Sequence, residues 1–330
     1  MSVFVGVDIA AKSFDLVSRE AGKSSRVHQF SQTPQGHAKA IEQLRVLQPV
    51  LIVMEATGIY YLDLAVALAD AGLPVAVINP KSFRHFAALK LTGSKTDAID
   101  AALLAEYAER MEPKLWTPPS KERLALRDIG RQINRLTATR TQAKNRLHAL
   151  QATRQTMPLL IEDEQEGIEW LTRRIQRLTQ AAQALIAQDE ALSRQLSHLL
   201  AAKGIGETSA LAILAELSVL PADLKATQVS RYAGLDVRLT QSGSSVQRPA
   251  RLSKAGNAYL RAALYMPAMS AAQHDPRAKA FYEALVSRGK KKIQAQCAVM
   301  RKYLTGLWAC IQTDTAFDST RLFSEEHMKS

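Results

Sequence analysis

The chain has 330 residues, 47% of them hydrophobic and 22% charged, enough for two domains and a large core and too apolar for a disordered segment. No apolar run approaches the roughly 18 residues that span a bilayer, Met1 to Asp8 reaches an acid too soon for a signal peptide, and Cys297 and Cys310 imply no disulfide framework, so a reducing cytoplasm is expected, without membrane contact. The net charge of +12 is uneven: residues 1–118 hold 12 Lys and Arg against 12 Asp and Glu, whereas residues 225–302 hold 15 against Asp236, Asp275 and Glu283. Concentration of the whole excess in one segment points to a polyanion, because each cation placed on a phosphate releases counterions.

In chain order, Val3–Asp8, Phe14–Ser18 and Arg26–Phe30 read as three short strands. Thr33 caps a helix running to Leu47 with Pro34 at its first position. Val50–Met54 is a continuous apolar run, the mark of a buried central strand. Tyr60–Ala71 reads as a helix ending at Gly72, Pro74–Ile78 as a second buried strand, and Lys81–Leu91 and Asp97–Arg110 as helices. Three strands followed by helix, strand, helix, strand, helix is the element order of an RNase-H-like α/β fold, which nucleases share with actin-like and sugar-kinase ATPases.

Residues 119–200 carry two apolar stripes on steps of three and four. One runs from Leu126 to Leu150 with Arg140 interrupting it, and the other from Ile168 to Leu199, on either side of Met157-Pro158. They predict a helical hairpin or coiled coil, packed within the chain or between copies. Residues 201–320 are basic and mainly helical. Lys203-Gly204-Ile205-Gly206 between two helical patterns has the form of a helix–hairpin–helix, in which glycine permits the turn and the amides after it can hold a phosphate. Residues 321–330 form a tail.

Four acids stand out. Asp8 ends the first strand, Glu55 follows the central apolar run, and Asp97 and Asp100 are three apart on a predicted helix, hence on one face. Singly, such residues cap an element or face solvent. Together, in a sheet whose first and fourth strands are neighbours, they form a carboxylate cluster that needs a cation, and hard oxygen ligands select Mg²⁺ or Mn²⁺. Two such ions can stabilise the attacking and leaving oxygens of phosphodiester cleavage.

These residues resemble a known family. Val7-Asp8-Ile9-Ala10 with Lys12, Glu55-Ala56-Thr57-Gly58 and Lys95-Thr96-Asp97-Ala98-Ile99-Asp100-Ala101 look like the motifs of the bacterial insertion-sequence DEDD transposases. So do Gln241-Ser242-Gly243-Ser244-Ser245-Val246, Ser253-Lys254-Ala255-Gly256 and Leu264-Tyr265-Met266-Pro267-Ala268 further along. The resemblance implies a RuvC-like domain over 1–118 with Asp8, Glu55, Asp97 and Asp100 on divalent metal. It also implies a second transposase domain whose Ser242 attacks DNA to form a covalent phosphoserine. A structured guide RNA from the element is implied as well, as are dimers assembling to tetramers on DNA and association with the nucleoid. The groups expected to contact nucleic acid are Lys95, Gly204, Gly206, Arg238, Arg248, Arg251, Lys254, Arg261, Lys290, Lys291 and Lys292. Taken without the family, Ser-Gly-Ser-Ser is a flexible loop, and its neighbours supply arginines rather than a base.

Three rivals differ in their chemistry. A stand-alone RuvC-like nuclease, such as a junction resolvase, needs only the carboxylates and leaves the basic extension without a purpose. An actin-like phosphotransferase needs a glycine-rich phosphate turn after its first Asp, where this chain has Ile9-Ala10-Ala11-Lys12. A silent binding protein has no use for the acids.

Overall fold

The computed structural model describes residues 2–56, 58, 60–90, 97–242 and 246–324, with the side chains of 97–98, 239–242 and 246–250 outside that description. The chain divides into two compact units, Met1–Pro118 and Pro119–Ser330.

The first unit runs β1 (Val3–Ile9), β2 (Ser13–Glu20), β3 (Lys23–Ser24), β4 (His28–Ser31), α1 (Pro34–Leu47), β5 (Leu51–Glu55), α2 (Tyr61–Asp70), β6 (Val75–Ile78), α3 (Pro80–Leu89) and α4 (Asp97–Met111). Thr33 caps α1 by accepting from the amide of Gly36, with Pro34 in the first turn as the sequence indicates. The sheet order is β3-β2-β1-β5-β6, with β4 beside β3 on the edge of β2 that faces away from β1. β1, β5 and β6 are parallel and β2 is antiparallel to β1. This is the mixed RNase-H-like sheet expected, plus a two-residue strand, β3, too short to be read from the sequence.

Strand alternation sorts the side chains onto two faces. Val5, Val7, Ile52 and Met54 pack with Leu44 and Leu64 under α1 and α2. Phe4, Leu51, Val53, Ala76 and Ile78 pack with Leu103, Leu104 and Tyr107 under α3 and α4. Gly6 lies on this second face, where helix and strand backbones nearly touch: a Cβ there would come within 2.1 Å of the Ala101 carbonyl oxygen and 2.2 Å of the Ala105 nitrogen. Only glycine permits that approach.

The far half of α4 is fastened electrostatically. Glu106, 9% exposed, accepts from Lys90 Nζ at 2.5 Å and Arg110 Nε at 2.6 Å, with Arg19 of β2 at 3.9 Å. Arg19 also donates to Glu109 at 2.6 Å. Burial alone would raise the Glu106 pKa, but the hydrogen bonds from Lys90 and Arg110, with the charges of Lys90 and Arg19, outweigh it and hold the carboxyl below its usual range.

The second unit comprises α5 (Lys121–Ala152), α6 (Pro158–Ala187), α7 (Glu190–Leu200), α8 (Glu207–Leu217), α9 (Ala226–Tyr232), β7 (Val237–Ser242), β8 (Val246–Leu252), α10 (Ala258–His274), α11 (Pro276–Ser287), α12 (Lys292–Thr313) and α13 (Ser319–Leu322). The two apolar stripes pack on each other within the chain: Ile133, Leu136, Ala143, Leu171, Ile175 and Ala182 belong to one core that continues to Trp308 and Phe323. The second stripe is not one helix, because Asp189 caps a new one by accepting from Ala191 and Leu192. Arg140, the interruption in the first stripe, donates to Thr172 Oγ1 of α6 at 3.4 Å. A buried knot binds α5, α8, α9 and α10. Glu216, 2% exposed, takes two bonds from Arg131 at 2.6 and 3.0 Å and one from Asn257, which also donates to the Tyr232 hydroxyl at 2.8 Å. The β7–β8 hairpin departs from the mainly helical reading; Pro249 and the Ser-Gly-Ser-Ser run hide its strand pattern.

Two outcomes test how α4 is seated. Gly6→Ala forces the helix off the strand and lowers stability by about 1–3 kcal/mol, the cost of overpacking, as read by urea unfolding; unchanged stability would refute the close approach. Glu106→Gln costs about 2 kcal/mol at pH 7. Because the folded carboxyl is depressed, that contribution is present above the unfolded pKa and is lost as pH falls through the folded one. The difference between variant and parent therefore shrinks in acid, whereas an equal difference at pH 7 and pH 4 would contradict the ion-pair account.

Candidate active site and basic face

Asp8 sits on β1 two residues after Gly6, so its side chain leaves the sheet on the α4 face. β1 and β5 pair in parallel from Phe4↔Leu51 to Val7↔Met54. The next step of that register sets Asp8 beside Glu55, with the strands about 4.8 Å apart. Glu55 follows Leu51 and Val53 onto the same face.

The direction of α4 brings its acids to this end. Its later residues Glu106 and Glu109 meet Arg19, which pairs across the sheet with Phe4 near the start of β1. The helix therefore runs back along β1, and its first turn, Asp97 to Asp100, lies at the end where Asp8 and Glu55 stand. Acids in a first turn also suit the positive end of the helix dipole. The Asp97 side chain and the whole of Lys95 are outside the described residues. Among the described residues no group of three His, Cys, Asp or Glu side chains is close enough to hold a metal ion. The convergence thus rests on strand register and helix direction, and the donor chemistry, all carboxylate oxygen, is that of a hard divalent ion.

One member escaped the sequence reading. Asp15 of β2 is the cross-strand partner of Asp8, is 7% exposed and accepts from Gln29 Nε2 of β4 at 2.9 Å. It shares the α4 face with Asp8 and Glu55. The alternation Phe14-Asp15-Leu16 marks it as a polar residue on an otherwise buried strand. Like charges directly opposite each other in a sheet repel, which strengthens the case for a cation at this edge.

The second unit carries the cations. Arg238 and Arg251 are cross-strand partners in the β7–β8 hairpin, and both are exposed. Arg248 lies on β8 opposite Thr240 with its side chain outside the described residues. Lys254 is exposed in a tight turn at φ +49°, its amide donating to Gly234; the turn closes on α9, where a Cβ on Gly256 would meet the Tyr232 carbonyl oxygen at 2.2 Å. Lys290, Lys291 and Lys292 are exposed at the start of α12. Arg261 is engaged within the fold, donating to the Ala233 carbonyl at 2.8 Å. In the helix–hairpin–helix turn, Gly204 has φ +89° and a Cβ on it would strike the Pro267 carbonyl oxygen at 2.7 Å, while Gly206 opens α8 into free space. The Tyr303 hydroxyl holds this turn through the Lys203 carbonyl at 2.9 Å. Of the three tryptophans read as packing anchors, Trp308 is buried and Trp116 packs on the first core. Trp170 differs: it is 53% exposed, with the Arg174 guanidinium 4.3 Å over its ring.

Comparison with known proteins finds transposases. A DEDD transposase model of the IS110 type matches residues 5–158, and a model described as "Transposase IS116/IS110/IS902 family" matches residues 196–283. The chain is 26% identical over 323 residues to a "Pilin gene-inverting protein" of Moraxella bovis, covering 96% of this chain and 97% of that one. It is 27% identical over 346 residues to a "Probable family 20 transposase" of Pseudomonas aeruginosa, covering 95% and 98%. Among solved structures, T. thermophilus RuvC in complex with a Holliday junction substrate is similar at 18% identity over 34% of this chain and 96% of that chain, with a TM-score of 0.27.

The matches correct one expectation. What they indicate is the metal-dependent mechanism of a DEDD nuclease or transposase, nearer to the rival nuclease reading, and not RNA-guided recombination through a covalent phosphoserine. The physical side of that correction lies at Ser242, which ends β7 opposite Val246 with its side chain outside the described residues. A hydroxyl nucleophile needs a base or a metal, and one cross-strand pair of its hairpin is two arginines, Arg238 and Arg251. Among the described residues no helix is long and apolar enough to cross a membrane. Over residues 5–158 and 196–283, which hold the carboxylate edge and most of the basic segment, the chain is similar to transposases of the IS116/IS110/IS902 family.

Proposed function

We propose that the chain cuts DNA strands by metal-dependent phosphodiester cleavage, with Asp8, Glu55, Asp97 and Asp100 holding Mg²⁺ or Mn²⁺, in the service of transposition. The observation that carries this reading is the placement of Asp8 and Glu55 on adjacent parallel strands with the first turn of α4 at the same end. Divalent metal, when bound, would supply Lewis acidity to the phosphate and its attacking and leaving oxygens. The chain's own part is to hold the carboxylates. The two flanking strands fix the spacing of Asp8 and Glu55, Gly6 seats α4, and Glu106 prevents it from sliding. Asp15, held by Gln29 opposite Asp8 on the neighbouring strand, would add negative charge to the side of the site and so favour a bound cation.

DNA handling falls to the second unit. Arg238 and Arg251 stand directly opposite each other, an arrangement that costs stability in a sheet unless an anion lies between them. Phosphate contacts from these two, from Lys254 and from the Lys290–Lys292 run would position a duplex without reading its sequence. The name of the Moraxella bovis relative describes inversion of a gene, a reaction that likewise requires DNA strands to be cut and rejoined.

Asp8→Asn lowers DNA cleavage by about a thousandfold, a loss of several kcal/mol of transition-state stabilisation, while DNA binding persists. A chelator abolishes cleavage and added Mg²⁺ restores it. Cleavage that survives both treatments would exclude a metal-carboxylate site. Arg251→Ala reduces the slope of log affinity against log salt by about one and leaves the fold equally stable or more so by about 0.2–1 kcal/mol, since a like-charge pair is relieved. A loss of stability together with an unaltered salt slope would show the arginine to be structural.

A further inference from the structure

Against the β7–β8 hairpin, the second unit contains a cavity of about 620 Å³, within the roughly 300–1,000 Å³ of sites that enclose small organic ligands. Its charged lining is Arg251, Lys254, Lys290 and Arg301, with no carboxylate. The adjacent acid, Asp236, is already taken by the Ser253 hydroxyl, and among the described residues none of the four cations forms a salt bridge. Between them the wall is apolar: Leu235, Leu252, Ile293 and Ala298, with the Cys297 thiol. Ile293 is 53% and Val237 50% exposed at the rim, positions where a closed core would not leave large apolar side chains. Burial pushes the Cys297 thiol up against the opposing charge of Lys254, so it stays neutral and apolar.

The pairing of a cationic rim with an apolar wall selects an occupant that carries both characters. A stacked duplex offers phosphate but hides its bases, and a simple anion leaves the apolar wall bare. An unstacked nucleotide satisfies both halves, with its base against Leu252, Ile293 and Ala298 and its flanking phosphates on the four cations. We infer that this cavity receives one unstacked base of a DNA single strand, so that the second unit grips a strand that has left its duplex. The inference rests on the proposed DNA-handling reading of this unit and adds to it a site for a base. Among the described residues the cavity has no aromatic ring in its lining, so the gain would come from burying the apolar faces of a base, which every base has and which tolerates sequence.

The test compares two single strands of equal length on the full chain: oligothymidylate, and the same backbone with abasic sites in place of the bases. The base-bearing strand is expected to bind about tenfold more tightly. Ala298→Trp fills the cavity and brings that ratio down to about one, and so does Ile293→Ser at an exposed position that bears no core load. In the wild-type protein, oligothymidylate slows alkylation of Cys297 by N-ethylmaleimide, followed by mass spectrometry of its peptide, and the abasic strand does not. Equal affinity for the two strands, or variants that preserve the preference, would overturn the cavity assignment and leave the DNA-handling reading standing. Failure of both strands and of duplex DNA to bind would sink both readings. Protection of Cys297 by decanoate but not by oligothymidylate would assign the cavity to an acidic lipid and overturn the inference.

Discussion

The approach of α4 to β1 at Gly6 is the constraint on which the acidic site depends. Helix and strand are ordinarily held apart by side chains, and here the backbone of Ala101 and Ala105 lies where a Cβ would be. A helix seated so closely has little freedom to roll or slide. Its far half is tied at Glu106 to Lys90, Arg110 and Arg19, and its near half carries Asp97 and Asp100. The tie and the acids are at opposite ends of one rigid rod, so a fold-stabilising ion network sets where the chemically relevant carboxylates stand. The apolar groups Leu103, Leu104 and Tyr107 under the same helix provide the hydrophobic driving force, which offsets the repulsion among the acids clustered at its start.

The elements of the first unit were legible in the sequence because their signals are local. Thr33-Pro34 opens α1, Gly72 closes α2 at φ +77°, and the apolar run before Glu55 could only be a strand buried on both faces. What could not be read was pairing. Asp15 looks like an ordinary polar residue until the antiparallel register sets it opposite Asp8, and Gly6 looks like a mere strand glycine until α4 covers it. Both belong to the site through contacts with distant parts of the chain, which period and propensity do not record. The β7–β8 hairpin was missed for another reason: Arg248, Pro249 and Arg251 interrupt the alternation that marks a strand with one buried face.

In the second unit the apolar stripes break around Met157-Pro158, where α6 begins, but the second stripe covers two helices, α6 and α7. The stripe continues in phase across Gln188 and Asp189, while Asp189, accepting from the amides of Ala191 and Leu192, caps the start of a new helix. A change of direction that preserves the hydrophobic period is invisible to periodicity. The same stripes were equally compatible with pairing between copies, and their burial within one core that extends to Trp308 accounts for them inside the chain.

Charge divides the work between the two units. The first has no net charge over residues 1–118, and its local feature, the carboxylate edge of β1 and β5, repels a phosphate at short range. Attraction of DNA from a distance therefore has to come from the segment that holds the excess cations, where Arg238, Arg251, Lys254 and the Lys290–Lys292 run are exposed. A divalent ion reverses the sign of the acidic edge only when it is bound there. On the proposed reading, a divalent ion held by Asp8, Glu55, Asp97 and Asp100 would let a scissile phosphate approach the acidic edge, while the cations of the second unit would hold DNA without it. Capture and chemistry would then be separate, and a bound substrate would be cut only when the ion is present.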